Sequence, residues 1–125
     1  MATISNLTPM IPTAGDVKGA TAFYVDTLGF KISYKDDGMA IVKRDGVTIM
    51  LTDFDDEHVA ANIALRIAVD NVQELFDELS GKNLPAFQST SGASISKLED
   101  KPWGTREFAV KDPAGICYTF FQDMS

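Results

Sequence analysis

The stretch Trp103-Gly104-Thr105-Arg106-Glu107-Phe108-Ala109-Val110-Lys111-Asp112-Pro113-Ala114-Gly115 predicts a β-strand that runs into a tight turn. Phe108 and Val110 alternate with more polar neighbours, which is the two-residue period of a strand with one buried face. The Asp, Pro and Gly residues that follow are typical of a turn. Apolar residues resume at Ile116, so the stretch predicts the first half of a hairpin whose strands are Thr105–Val110 and Ile116–Phe121.

The first half of the chain contains the same elements in the same order. Asp16 and Asp70 each begin an amphipathic helix, and the helices end at Gly29 and Gly81. Each helix follows a short apolar strand and precedes strands with glycine-containing turns. This repeat predicts an α+β fold of two tandem βαβββ modules, about 7–54 and 62–122, within a single domain of residues 1–125. Two such modules can form a concave, partly closed sheet around a cavity, where we expect the functional side chains.

Periodicity and turn residues give the bounds of the other predicted elements. The remaining predicted strands are Thr8–Thr13, Phe30–Lys35, Met39–Lys43, Val47–Thr52, Asn62–Val69 and Leu84–Gln88. Pro9 and Pro12 cannot donate backbone hydrogen bonds, so the first strand is predicted to lie at a sheet edge. Asp70 and Gln73 predict a capping box. Asp53–His58 is predicted to be an acidic loop, and Ser89–Pro102 has the weakest pattern.

Composition and charge limit the possible classes of function. The chain has 125 residues, 45% of them hydrophobic, which is enough for one well-packed core. A net charge of −7 argues against nucleic-acid binding; it either attracts cationic ligands or only keeps the protein soluble. The single cysteine, Cys117, excludes an internal disulfide. No signal peptide, membrane-span pattern, P-loop or nucleophile elbow is present, so we expect a cytoplasmic protein.

Two strings resemble a known family. Ala22-Phe23-Tyr24-Val25-Asp26-Thr27-Leu28-Gly29-Phe30 and the hairpin string Trp103–Gly115 are similar to motifs of the glyoxalase/bleomycin-resistance/extradiol-dioxygenase superfamily, also called the vicinal oxygen chelate fold. The resemblance extends from about Leu7 to Gln122. It implies the two-module fold inferred above and a homodimer in which the first strand is often exchanged between subunits. An edge strand at Thr8–Thr13 is compatible with such pairing.

The enzymes of this superfamily hold a divalent metal through His and Glu side chains on inward-facing strands. The resemblance places the corresponding positions of this chain at Pro9, Met50, Asn62 and Thr119. Proline has no side-chain donor atom, and Asn and Thr lack the charge that holds divalent ions. We therefore expect no metal and no cofactor, and assign no catalytic residue. A surface site formed by His58 with Asp55 and Asp56 remains an alternative to a solvated loop histidine.

The bleomycin-resistance branch of the superfamily, which sequesters a large cationic aromatic glycopeptide, resembles this chain further. Leu7-Thr8-Pro9-Met10-Ile11-Pro12 is similar to its first strand, and Lys101-Pro102-Trp103-Gly104 to the segment whose Trp lines the drug groove. The resemblance implies that Trp103 lines a ligand groove; packing against a dimer partner or the hairpin is the alternative.

Side-chain alternation predicts which other residues face the cavity. Glu107 points opposite to Phe108 and Val110 and would face the cavity, as would Cys117 and Thr119 of the next strand. Phe54, among acidic residues, is either a wall facing a cation or an anchor for its loop. The predicted ligand-binding residues are Trp103, Glu107, Phe54, Asp53, Tyr34, Thr119, Cys117, Met50 and His58.

The sequence thus favours a metal-free binding protein, a homodimer that sequesters a cationic aromatic antibiotic of the bleomycin type. Two alternatives stay open. One is a glyoxalase-like, metal-dependent lyase or isomerase with displaced ligands such as His58. The other is a small-molecule sensor that uses the same cavity.

Overall fold

The computed structural model describes residues 1–87 and 92–125, and within them the chain divides into two units, Met1–Asp56 and Glu57–Ser125. The elements of the first unit are β1 (Met10–Pro12), α1 (Val17–Asp26), β2 (Lys31–Lys35), β3 (Met39–Arg44) and β4 (Val47–Thr52). They form a sheet of order β1-β4-β3-β2, in which β1 runs parallel to β4 and the other pairs are antiparallel.

Helix α1 is fixed at both ends by contacts that the sequence predicted. The Asp16 carboxylate accepts a hydrogen bond of 2.8 Å from the Gly19 N–H, so Asp16 is the N-cap. After the helix, Gly29 adopts φ +75°, and the Phe30 N–H donates to the Tyr24 carbonyl at 2.9 Å. The helix packs one face on the sheet. The sheet side chains beneath it are fully buried: Ala40, Val42, Ile49 and Leu51.

The second unit repeats this order. Its elements are α2 (Glu57–Ala61), β5 (Ala64–Ala68), α3 (Val72–Ser80), β6 (Ser94–Ile95), β7 (Glu99–Asp100), β8 (Thr105–Lys111) and β9 (Cys117–Asp123). The sheet order is β5-β9-β8-β6, and β7 also pairs with β8. If β6 and β7 count as two pieces of one edge strand, the order matches that of the first unit. The α+β class and the two βαβββ repeats are confirmed, and neither sheet closes on itself.

An aromatic cluster forms the core of the second unit. Phe108 lies edge-on to Phe76 of α3 at 5.2 Å and stacks on Phe120 of β9 at 5.3 Å between ring centroids. Tyr118 and Val110 are buried beside them. The alternation predicted for the last hairpin is therefore confirmed for the residues that face the helix. The turn after β8 is closed by Asp112, whose Oδ1 accepts three backbone N–H groups, from Ala114, Gly115 and Ile116.

Two predicted features of the second unit differ from the structure. The capping box at Asp70 and Gln73 is wrong by one residue: Asn71 is the N-cap, and its side chain accepts the Glu74 N–H at 3.1 Å. Val72, the first helical residue, determines where helix α3 begins. It is fully buried, and its N–H donates to the Gln122 side chain at 3.0 Å. The predicted strand Leu84–Gln88 is reduced to a bridge between Ala86 and Ile95, because Pro85 has no N–H to donate. Gln88 lies outside the described residues.

Smaller differences concern the first strand and the acidic loop. The strand predicted over Thr8–Thr13 is limited to Met10–Pro12. The loop predicted over Asp53–His58 ends at helix α2, Glu57–Ala61, which is anchored by the buried Ala60. A five-residue helix is too short for its periodicity to be recognised. Ser89, Thr90 and Ser91 of the weakly patterned stretch lie outside the described residues, while β6 and β7 form in the rest of it. No helix in residues 1–87 and 92–125 is long and apolar enough to span a membrane.

We predict that Phe108→Ala lowers the free energy of unfolding by about 3–5 kcal/mol, because it removes a buried ring between α3 and β9 and leaves a cavity. Phe54→Ala, which removes a ring that is 54% exposed, serves as the control and should cost less than about 1 kcal/mol. Guanidinium unfolding followed by circular dichroism measures both values. Equal losses for the two variants would contradict this assignment of the core.

Candidate functional site

The face of the second sheet that lies away from α3 carries a continuous set of small, polar and charged side chains. Residues paired directly across neighbouring strands share a face, so the register defines this set. We call it the open face of the second sheet; it consists of Ala64, Arg66 and Ala68 of β5, Cys117, Thr119, Phe121 and Asp123 of β9, Thr105, Glu107, Ala109 and Lys111 of β8, Glu99 of β7 and Ser94 of β6. Three of the predicted ligand-binding residues, Glu107, Cys117 and Thr119, therefore lie on one surface.

Glu107 is the centre of the hydrogen bonds on this face. Its side chain is only 6% exposed, and both carboxylate oxygens are used. Arg66 donates from Nη2 to Oε2 at 2.9 Å and from Nη1 to Oε1 at 3.3 Å, a two-pronged contact that reaches across the intervening strand β9. The Thr105 hydroxyl donates to Oε2 at 2.6 Å, and the Trp103 indole N–H donates to the same oxygen at 3.4 Å.

These contacts fix the charge of the carboxyl group. Hydrogen bonds from Arg66 lower the pKa of Glu107 to about 2; burial acts in the opposite direction, and the bonds from Thr105 and Trp103 add to the lowering. The same carboxylate raises the pKa of the Arg66 guanidinium. Glu107 is thus ionised at neutral pH, and its charge is balanced by the adjacent guanidinium.

Trp103 reaches Glu107 because of a tight turn between β7 and β8. The Gly104 N–H donates to the Lys101 carbonyl at 3.1 Å, which closes a β-turn with Pro102 at its second position and Trp103 at its third. Gly104 has φ +95°, a conformation that favours glycine. The turn presents the indole to solvent, with 65% of the residue exposed, while its N–H remains directed at the carboxylate.

Arg66 and Thr105 are the residues of this cluster that the sequence did not predict, and Arg66 is the charged one. Its guanidinium carbon lies 4.4 Å from the centroid of the Phe121 ring, so one flat side of the guanidinium packs on an aromatic face. The side chain remains 49% exposed. The signal was present in β5, where Arg66 is the only charged residue of Ala64-Leu65-Arg66-Ile67-Ala68 and alternates with the apolar Leu65 and Ile67.

The other predicted residues of this face have simpler surroundings. Cys117 is half-buried, and burial raises the pKa of its thiol, so the thiol is protonated at neutral pH and a poor nucleophile. Thr119 is half-buried between its strand neighbours Arg66 and Ala109. His58 is exposed on α2, outside the open face, and its carbonyl accepts a hydrogen bond from the Asn62 side chain at 2.7 Å.

The remaining predicted residues belong to the first unit. Met10, Met50, Ile41 and Tyr34 are paired across β1, β4, β3 and β2 and form an apolar row on the side of that sheet away from α1. Tyr34 is 51% exposed, and its hydroxyl donates to Asp36 Oδ2 at 2.9 Å, which raises the pKa of the phenol. Asp53 and Phe54 follow β4 directly and are exposed.

The residues at the positions of a superfamily metal site do not fit a metal. Pro9 contributes only backbone; its carbonyl accepts the N–H of Met50, whose thioether is a soft ligand. Asn62 uses its amide on the His58 carbonyl, and Thr119 offers a neutral hydroxyl. Among residues 1–87 and 92–125, no group of three or more His, Cys, Asp or Glu side chains could hold a metal ion. We derive no chemical step through a metal.

Comparisons with known proteins identify the family and the fold of this chain. A family model described as the Glyoxalase/Bleomycin resistance protein/Dioxygenase superfamily matches residues 10–118. A bleomycin-binding protein from the bleomycin-producing Streptomyces verticillus, solved with copper(II)-bleomycin, has a TM-score of 0.86 and 32% identity, covering 96% of this chain and 97% of that chain. A bleomycin resistance protein from Geobacillus stearothermophilus is 29% identical over 133 aligned positions, which cover 93% of this chain and 95% of the relative.

An enzyme shares the fold as well. A lactoylglutathione lyase from Agrobacterium tumefaciens has a TM-score of 0.70 at 15% identity and covers 97% of this chain and 95% of its own. At that identity the likeness concerns the fold alone. The same scaffold therefore carries both binding proteins and enzymes, and the function has to be argued from the side chains.

The low pKa of Glu107 predicts how stability depends on pH. Because folding lowers this pKa from about 4.5 to about 2, the ionised group stabilises the fold above pH 4.5, and this contribution is lost as the pH falls through 2. It amounts to about 3.5 kcal/mol at neutral pH, since a pKa difference of one corresponds to about 1.4 kcal/mol and the difference here is about 2.5.

We therefore expect wild type to lose about 2–3 kcal/mol more stability than Glu107→Gln between pH 5 and pH 2. Urea unfolding at a series of pH values measures this difference and cancels the effect of the other carboxylates. Asp100→Asn, which removes an exposed carboxylate that is also paired with an arginine, is the control and should show a smaller difference. Parallel pH curves for wild type and Glu107→Gln would contradict the assignment.

Proposed function

Because the chain belongs to the Glyoxalase/Bleomycin resistance protein/Dioxygenase superfamily, we propose that it binds and sequesters an antibiotic of the bleomycin type without changing it covalently. The relatives named above support this proposal, since one is a bleomycin-binding protein and another a bleomycin resistance protein, and each alignment covers more than nine-tenths of both chains.

The residues at the superfamily metal positions favour a binding protein over a lyase. Pro9, Met50, Asn62 and Thr119 provide no carboxylate, imidazole or thiolate. A lyase of this superfamily would need a Lewis acid held by such groups to stabilise the charge that develops in its reaction. Nor does Cys117 offer a nucleophile, because burial raises the pKa of its thiol and keeps it protonated at neutral pH.

Trp103 and the overall charge support an aromatic, cationic ligand. An indole that is 65% exposed, yet held by a hydrogen bond, offers a flat surface whose orientation is already fixed. The net charge of −7 raises the local concentration of cations, and Asp53 beside the exposed Phe54 adds a local negative charge. Tyr34, Met50, Thr119, Cys117 and His58 remain further candidates for contact with the ligand.

The proposal includes a homodimer. Strand β1 pairs only with β4, so its other edge is unpaired within the described residues. Large apolar side chains cluster on β1 and on the segment before it, where Ile4 is 97%, Leu7 82% and Met10 68% exposed. An apolar segment beside a free strand edge is typical of an interface with a second chain.

We predict a molar mass twice that of one chain in light scattering at micromolar concentration. The double variant Leu7→Glu, Met10→Glu places charges on the proposed interface and should shift the protein to one chain while circular dichroism stays unchanged. Lys31→Glu, a change on the far edge strand β2 of the same sheet, is the control and should remain dimeric. Wild-type protein with the mass of one chain would contradict the dimer.

We predict that metal-free bleomycin changes the fluorescence of Trp103, the only tryptophan, in a saturable titration. Binding should weaken as NaCl rises from 0.05 to 0.5 M, because opposite charges are screened beyond a Debye length of about 8 Å at physiological salt. Trp103→Ala should weaken binding by about 1 kcal/mol or more, measured by calorimetry, with Trp103→Phe in between.

The controls separate sequestration from chemistry. Ile32→Ala removes an apolar side chain that is 45% exposed on β2 of the first unit and should bind as wild type does. Bleomycin recovered from the complex should have an unchanged mass, and cells expressing the protein should gain resistance. No titration signal, no binding heat and no resistance together would overturn the proposed function.

A further inference from the structure

Arg66 has one flat side covered and one side open. The Phe121 ring lies 4.4 Å from the guanidinium carbon, and the two terminal nitrogens of the guanidinium point in its plane towards Glu107. With 49% of the side chain exposed, the side opposite Phe121 is accessible. The hydrogen bonds and the ring together hold this planar group in one orientation.

The charge of the group is already satisfied. Glu107 balances it at short distance and is ionised at neutral pH. Within the described residues Arg66 is the cation hydrogen-bonded to Glu107, and Thr105 and Trp103 add neutral donors. Glu99, the cross-strand neighbour of Glu107 on β7, is paired with Lys101 at 3.1 Å. A ligand cation placed here would approach the guanidinium and find the carboxylate oxygens occupied, so it would gain little.

Two flat surfaces remain available, and the same carboxylate oxygen holds both. The indole of Trp103 and the guanidinium of Arg66 each donate to Glu107 Oε2, at 3.4 and 2.9 Å. Guanidinium groups stack on aromatic planes as well as pairing with anions, and stacking on the second side does not disturb the in-plane hydrogen bonds. The arrangement is complementary to a flat conjugated ring.

We propose that Arg66 is a ligand-contacting residue that, with Trp103, takes an uncharged flat aromatic part of the ligand, and that Glu107 positions both groups rather than pairing with a ligand cation. This inference rests on the proposed function and deepens it, because it assigns one part of an amphiphilic ligand to the open face of the second sheet. The positive charge of the ligand is then left to acidic residues other than Glu107.

The test uses three probes with one ring system and three charges: 2-naphthalenemethanol, 2-naphthylmethylammonium and 2-naphthoate. The single tryptophan gives one indole N–H signal in an ¹H–¹⁵N spectrum, and its shift reports binding at this site. In 0.5 M NaCl, where long-range attraction by the acidic protein is screened, we expect wild type to bind the neutral probe at least as tightly as the cationic one.

Arg66→Lys keeps the positive charge but removes the flat guanidinium, and should weaken binding of the neutral probe by about five-fold. The double variant Arg66→Met, Glu107→Gln removes the plane without leaving a buried charge and should weaken it to the same extent. Arg106→Lys is the matched control: Arg106 makes the same two-pronged contact with Asp100, from the opposite face of β8, and this variant should bind within two-fold of wild type.

Glu107→Gln is expected to change the relative affinities for the charged probes, which a purely structural role of Glu107 would leave unchanged. It leaves the guanidinium uncompensated, so 2-naphthoate should gain and 2-naphthylmethylammonium should lose affinity relative to the neutral probe, and the indole signal of the free protein should shift. The inference is overturned if Arg66→Lys and the double variant both bind the neutral probe within two-fold of wild type. It is also overturned if wild type prefers the cationic probe in 0.5 M NaCl.

Binding of metal-free bleomycin tests the proposed function separately from the assignment of Arg66. If wild type does not bind bleomycin but the naphthalene results are as expected, the proposed function fails and the assignment of Arg66 stands. If bleomycin binds and Arg66→Lys binds it and the neutral naphthalene as wild type does, the function stands and the assignment fails.

Discussion

A carboxylate that is 94% buried requires a partner, and the arrangement of the open face of the second sheet follows from how Glu107 obtains one. Arg66 is two strands away, so its side chain must extend across β9, and it does so by lying on the Phe121 ring. Thr105 and the turn that carries Trp103 approach the same carboxylate from its own strand. One ionised group therefore fixes β5, β8, a β-turn and the orientation of the most exposed aromatic ring of the second unit.

The repeat gives the two sheets one strand order but not one surface chemistry. At the face away from its helix, the first sheet presents Met10, Met50 and Ile41, which are flexible or apolar. The corresponding face of the second sheet presents the ion pair and the small residues around it. Methionine adapts its shape to different neighbours, whereas the Arg66–Glu107 pair has a fixed geometry. The duplication thus provides one adaptable and one rigid surface from the same backbone plan.

The features that sequence could predict are those set by local patterns. Asp16 with Gly29 bounded the first helix, Asp112–Gly115 located the last hairpin, and alternation from Thr105 to Phe121 identified the face that carries Glu107. The partner of Glu107 could not be predicted, because it lies 41 residues earlier and depends on which strand lies next to which. The N-cap shift from Asp70 to Asn71 has a similar cause, since burial of Val72 and the hydrogen bond that its N–H donates to Gln122 decide it.

The buried pair also restricts the order in which this surface can change during evolution. Loss of Arg66 alone would leave a buried carboxylate without its cation, a change that typically costs about 3–5 kcal/mol, a large fraction of the total stability of a small domain. Loss of Glu107 alone would leave a half-exposed guanidinium, which water can solvate. Lineages that exchange this pair for another are therefore expected to replace the acid first and the base afterwards. A descendant with arginine but no glutamate would be a viable intermediate, whereas one with glutamate but no arginine would be too unstable to persist.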